Sequence, residues 1–277
     1  MTTDIRLLVL DIDGTLAGES NQISPRVLAA IEAVHQRGIH VAIATGRMYQ
    51  AALRFHRAVG STLPLMAYQG AFIKCPRTNT LHRHLPLARP LALELLAYLA
   101  PLEAQRDLSI HLYIDDQLHV RAIIDDTKAY AERSGVEPLA VGDLATLMHR
   151  QGHLETTKLL ALSGNTDLIS QISADLEQRY TSDEIYITRS VDSFVEATHP
   201  LANKGEAVRF LAEDLLDLKA DQVMTVGDNF NDLEMLRYAG VGVAMGDAPI
   251  PVQQAADWVA PGAEADGVAV AIEQFLL

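Results

Sequence analysis

Leu7-Leu8-Val9-Leu10-Asp11-Ile12-Asp13-Gly14-Thr15-Leu16 is the stretch whose reading decides the fold. Its opening apolar residues run without alternation, as in a strand buried on both faces of a parallel sheet. The run stops at two aspartates two positions apart, followed by a glycine turn. Carboxylates at the end of a buried strand are costly to desolvate unless an opposite charge meets them. A metal ion is the partner this pattern points to, and beside a metal one aspartate can act as a nucleophile. The rival reading is a strand-end turn capped by Asp.

Outward from that stretch, strand and helix signals alternate. Ser24-Pro25 marks a helix start, Val27, Leu28, Ile31 and Val34 form one apolar face, and Gly38 ends the helix. Ile39 to Ala44 reads as the second strand. Thr45-Gly46-Arg47 turns into a helix with Met48, Ala52, Phe55 and Val59 inward, and Leu65 to Tyr68 is a third strand. This order implies a parallel sheet with right-handed crossovers. The pattern resumes with a helix over Gly205 to Leu215, a strand over Gln222 to Val226 ending at Gly227-Asp228, a helix over Asp232 to Tyr238, a strand over Val241 to Ala244 and a last helix from Gly267.

The middle of the chain follows another grammar. Ile110 to Tyr113 and Leu118 to Arg121 read as a hairpin around Asp115-Asp116, followed by further helices and strands up to Ala197. The predicted fold is therefore α/β: a Rossmann-like doubly wound parallel sheet with an inserted α+β domain. The expected division is core 1–80, insertion 81–198 and core 199–277, with Pro200 and the polar turn Arg77 to Asn79 as candidate hinges.

Composition narrows the function. The chain has 277 residues, 49% hydrophobic and 21% charged, and a formal net charge of −14. Such an acidic chain is not built for nucleic acid or anionic membranes, so neither is an expected partner. A phosphate site here has to be made locally positive by a metal, a lysine or helix N-termini. Cys75 is the single cysteine, which rules out an intrachain disulfide. Leu85 to Leu102 is interrupted by Arg89, Glu94 and three prolines and reads as a helix opening near Pro90 rather than a membrane span. With no leader pattern at the start, a cytoplasmic setting is expected. Oligomeric state is left open.

Ligands of an open parallel sheet sit at the carboxyl ends of the strands. Asp11, Asp13, Thr45 and Asp228 all follow strands, and Lys204, just before a helix, adds positive charge. At this point the chain resembles the haloacid dehalogenase-like phosphohydrolases, and within them the Cof-type subfamily with a type IIB cap. Asp11-Ile12-Asp13-Gly14-Thr15-Leu16, Ala44-Thr45-Gly46-Arg47, Asn203-Lys204-Gly205 and Gly227-Asp228-Asn229-Phe230-Asn231-Asp232 are similar to its four motifs, in order.

The resemblance implies a phosphatase for a small phosphorylated metabolite, working through an aspartyl-phosphate. Asp11 is then the nucleophile and Asp13 the acid/base. Mg²⁺ is held by Asp11, the Asp13 backbone carbonyl and Asp228. Asp232 orients Lys204 or a metal-bound water. Thr45 and Lys204 bind phosphoryl oxygens, with Gly14, Gly46, Arg47 and Asn231 in the same phosphate-binding shell. A phosphomutase, or a non-catalytic binder of phosphorylated ligands, are the alternative readings. Two departures stand near the site: Gln69 where Asn is usual, and Asp247 where Asn is common. His82 and His84 are set aside as metal ligands, His111 and His119 read as exposed strand residues, Cys75 as core packing, and Gly240-Val241-Gly242 does not complete a dinucleotide loop.

Overall fold

The structure, a computed structural model, describes residues 4–189 and 191–277. It consists of two compact units. One comprises the chain up to Arg83 together with Asn203–Leu277, and the other is His84–Ala202.

The first unit is built on a five-stranded parallel sheet in the order Trp258–Val259, Val241–Ala244, Val223–Gly227, Leu7–Leu10, His40–Ile43. Leu7 to Leu10 lie inside it, between Val223–Gly227 and His40–Ile43, and are fully buried, as an unbroken apolar run requires. Leu10 is level with both Val226 and Ile43. The ladder continues one bond further, Asp11 N donating to Val226 O at 3.1 Å and Ala44 N to Leu10 O at 3.1 Å. The residues after these strands therefore emerge side by side on one rim, which is what places the site.

The flanking helices follow the sequence signals. Pro25–Gln36 opens with the Ser24 hydroxyl accepting from Val27 N and buries Val27, Ala30, Ile31 and Val34. Ala30 takes the core position that Leu28, only half-buried, was expected to share. Tyr49–Ala58 buries Ala52 and Phe55, with Met48 and Val59 buried at its ends. The third strand is short, Leu65–Ala67, and joins the sheet through a single parallel bridge between Ala44 and Met66. The chain then turns through Tyr68, Gln69 and Gly70, all at positive φ, and returns antiparallel as Phe72–Lys74. The Arg77 to Asn79 turn lies inside the first unit rather than at its boundary with the second. It is the tip of a hairpin, closed by Cys75 N donating to Thr80 O at 2.9 Å, that leads into Leu81–His84. The predicted 205–215 helix starts at Lys204, is capped by the Asn203 carboxamide accepting from Glu206 N, and widens into a π-helix over Phe210–Leu215.

The second unit carries a six-stranded sheet ordered Tyr186–Thr188, Phe194–Thr198, Thr156–Leu162, Ser109–Ile114, Gln117–Val120, Pro138–Ala140. All pairs are antiparallel except the last. Asp115 and Asp116 both sit at positive φ (52° and 57°), the pairing that a tight hairpin with right-handed twist demands. Ile110, Leu112, Ile114, Leu159, Ala161, Val195 and Ala197 point to one face and form the core with helices Arg89–Gln105, Leu144–Arg150 and Thr166–Arg179. Pro138–Ala140 and Leu144–Arg150 lacked a readable sequence pattern. Among the described residues no helix is long and apolar enough to cross a membrane.

The two histidines of the hairpin are not equivalent. His111 pairs with Val120, and His119 with Leu112, so a period of two sends them to opposite faces. His111 is fully buried, contrary to the exposed-strand expectation, and neither ring nitrogen has a hydrogen-bond partner among the described residues. Its ring lies 5.0 Å from that of Tyr130, and Lys158 and Glu196 form a buried ion pair at 2.9 Å on the same strand face. Burial first, then the nearby Lys158 charge, pushes the imidazole down to about 3. A histidine depressed in the folded state stays neutral there while the unfolded chain takes up a proton below its ordinary value. Stability is thus lost as pH falls from that ordinary value toward 3, by about 1.4 kcal/mol per unit. His111→Phe keeps the ring and removes the titration. Urea melts should show the variant gaining about 2 kcal/mol on the wild type between pH 7 and pH 5. Parallel acid profiles would overturn the assignment.

Candidate active site

The site grows out of the rim after the central strands. Asp11 ends the Leu7–Leu10 strand and is 4% exposed. Asp228 and Asp232 stand in the loop after Val223–Gly227. One carboxylate oxygen from each of Asp11, Asp228 and Asp232 lies within 4.8 Å of the others. Lys204 enters from the start of its helix, fully buried, and its Nζ lies 2.7 Å from Asp11 Oδ1 and 2.6 Å from Asp232 Oδ1. Asp232 Oδ2 accepts from the backbone N–H of Asp228 (2.9 Å) and of Asn229 (3.0 Å). Both of its oxygens are thus engaged in orienting Lys204 and shaping the loop. Asp228 Oδ1 accepts from the Thr15 hydroxyl at 3.0 Å. Gly14 is required beside it: its φ is +75°, and a Cβ there would stand 2.2 Å from Asp228 Oδ2.

Electrostatics follow from this geometry. Three carboxylates against one ammonium leave a surplus of two negative charges in a buried pocket. Burial, reinforced by the Asp232 charge, pushes the Asp228 carboxyl up to about 7. Burial raises Asp11 well above the ordinary carboxylate value, with Lys204 opposing and the neighbouring aspartates adding to it. Burial opposes the Lys204 charge, but Asp11 and Asp232 more than offset that and hold its pKa above the usual lysine value. The donor set is all oxygen, and its charge deficit is that of one divalent cation. It fits a hard ion such as Mg²⁺.

The other expected residues divide into those at this cluster and those beside it. Asp13 does not join the carboxylate cluster. Its side chain is gripped by Arg47, Nε to Oδ2 at 2.8 Å and Nη2 to Oδ1 at 2.6 Å. Arg47 Nη2 also donates to Asn21 Oδ1 at 2.7 Å. Thr45 is fully buried, and its Oγ1 accepts from Arg47 N at 3.1 Å. Gln69 fills the space that Gly46 leaves, since a Cβ on Gly46 would stand 2.5 Å from Gln69 Nε2. Its Oε1 accepts from Asn231 Nδ2 at 3.2 Å. The Gln69 departure therefore links the Thr45 loop to the Asp228 loop. Asp247, the other departure, is exposed and holds the turn at Ala263, whose N–H donates to Oδ2 at 3.2 Å. Thr15 and Asn21 were not foreseen as site residues. Thr15 and Asn21 lie near the first motif in sequence, but nothing local says where their side chains go.

A buried carboxylate, a fixed ammonium and an all-oxygen donor cluster together suit transfer of an anionic group. Comparison with known proteins points the same way. Residues 8–272 match the haloacid dehalogenase-like hydrolase family. A Haemophilus influenzae protein provisionally named a phosphatase is 30% identical over 266 residues, 95% of each chain. The structure of a haloacid dehalogenase-like hydrolase from Bacteroides thetaiotaomicron superposes with a TM-score of 0.83 at 26% identity, covering 98% of this chain and 99% of that one. A subclass IIB sugar phosphatase shares the fold, with a TM-score of 0.81 at 20% identity, covering 98% of each chain. The chain accordingly belongs to the haloacid dehalogenase-like hydrolases, and its activity is that of a phosphatase.

Proposed function

We propose that the protein is a Mg²⁺-dependent phosphatase of a small phosphorylated metabolite and works through an aspartyl-phosphate. The observation that carries this reading is Lys204, held between Asp11 and Asp232 within 2.7 Å of each. Asp11 supplies the attacking oxygen, and Lys204 neutralises the phosphoryl oxygens as they approach it. Thr45 adds a hydroxyl donor on the neighbouring strand end, and Asn231 a carboxamide. Asp13 is the residue that gives a proton to the leaving oxygen and then takes one from water, a role worth on the order of 10²–10⁴-fold. For that it must exchange its Arg47 grip for the substrate. Mg²⁺, held by Asp11, Asp228 and the Asp13 carbonyl, supplies charge neutralisation and leaves the Asp11 carboxylate ionised. The unit His84–Ala202 acts as the cap that closes over substrate.

The test is hydrolysis of p-nitrophenyl phosphate. Activity should be absent in excess EDTA and return with MgCl2. Release of free phosphate, without an isomerised sugar phosphate by mass spectrometry, separates hydrolysis from a phosphomutase. Full activity in EDTA sinks the metal assignment.

A further inference from the structure

Beside the carboxylate cluster the first unit carries a second, oppositely charged feature. The guanidinium carbons of Arg47 and Arg54 lie 4.7 Å and 4.4 Å from the centre of the same ring, Phe55. Phe55 is buried, whereas Arg54 is exposed at the surface of helix Tyr49–Ala58. Two like charges on one ring repel, and Asp13 is the carboxylate that sits with them. Burial, then Arg47, lowers the Arg54 pKa while Asp13 raises it, so both charges are felt at Arg54. The compensation is incomplete. Asp13 takes Nε and Nη2 of Arg47, and Nη1 is buried with no hydrogen-bond partner among the described residues. Arg54 has no hydrogen bond or ion pair among the described residues. In a chain of net charge −14, this is a local excess of planar donors of the kind that suits carboxylate and phosphate.

Its position says which part of a substrate it meets. The transferred phosphoryl group belongs to Asp11 and Lys204, and the leaving oxygen to Asp13. Arg47 holds Asp13 through Nε and Nη2, and Arg54 shares the Phe55 ring with Arg47 and feels the Asp13 charge, so a leaving oxygen that reaches Asp13 brings the leaving portion of the substrate to this pair.

We infer that Arg47 and Arg54, mounted on Phe55, form a recognition site for a second anionic group, a carboxylate or a further phosphate, on the leaving portion of the substrate. The inference rests on the phosphatase reading and narrows its substrate class to phosphomonoesters that carry another negative charge a few bonds from the scissile oxygen.

Matched pairs test it. 3-Phosphoglycerate and glycerol 3-phosphate differ by a carboxylate in place of a hydroxymethyl group. Fructose 1,6-bisphosphate and fructose 6-phosphate differ by a second phosphate. In the wild type, kcat/KM should favour the more anionic member of at least one pair by about tenfold, and the pair that responds identifies the anion. Arg54→Gln should shrink that ratio about tenfold, mainly through KM, and Arg54→Lys should retain part of it as a point charge. Melting curves check that the variants are folded. A wild type that favours the more anionic member of neither pair, or an Arg54→Gln ratio equal to the wild-type ratio, overturns the inference while leaving the phosphatase intact. A wild type inactive on every phosphomonoester, p-nitrophenyl phosphate included, overturns both.

Discussion

Asp11→Asn is expected to abolish turnover, lowering kcat by on the order of 10⁴-fold or more, without lowering the melting temperature. The catalytic loss follows from removing the attacking oxygen, for which no other group is placed. The stability expectation follows from the charges. Asp11 lies within 4.8 Å of two other carboxylates, and Lys204 keeps its 2.6 Å contact with Asp232 when Asp11 becomes neutral. Asparagine has the same shape, so the Val226 ladder bond and the packing under it persist. Single-turnover assays with p-nitrophenyl phosphate, paired with thermal melts, measure both. An Asp11→Asn enzyme that still turns over would remove Asp11 from the mechanism.

Lys204→Met carries the second large effect, on stability as well as rate. It leaves Asp11 and Asp232 buried without their cation, a situation that costs about 3–5 kcal/mol when one partner of a buried pair is removed. It also removes the fixed charge that meets the phosphoryl group, worth on the order of 10²–10³ in kcat. The sign with pH is distinctive. Without Lys204 the clustered carboxylates hold protons more tightly in the folded state than in the unfolded chain. The folded state is then favoured at low pH and loses stability as pH rises through the elevated values; Asp228, already pushed up to about 7 by burial and Asp232 with Lys204 present, rises further without it. Urea melts should show the variant further below the wild type at pH 8 than at pH 5, and MgCl2 should recover part of the difference at pH 8 by supplying the missing charge. A deficit independent of pH and magnesium would mean that Lys204 matters for its volume alone.

Legibility differed by kind of residue. The buried strands were readable because an unbroken apolar run has few other uses, and the helix starts because Ser24 and Asn203 accept from orphan backbone donors locally while Pro25 carries none. The Asp115-Asp116 hairpin was readable for the same local reason. Pro138–Ala140 and Leu144–Arg150 were not, because the strand is a short edge element with little burial and the helix too short for a clear period. The Arg77 to Asn79 turn was read as a hinge because polarity marks any turn and does not say what the turn connects.

The sequence by itself determined which residues end the strands of the parallel sheet, and hence that Asp11, Thr45 and Asp228 share a rim. It did so because strand periodicity and capping are local properties. Only the tertiary structure decided how the charges are apportioned: Lys204 between Asp11 and Asp232, Asp13 in the grip of Arg47, and Arg54 beside Arg47 on the Phe55 ring. It also decided that His111 is buried, since cross-strand register sets its face. Ion pairs and register join residues far apart in the chain. Their partners depend on which buried segments come to lie side by side, and no local pattern carries that information.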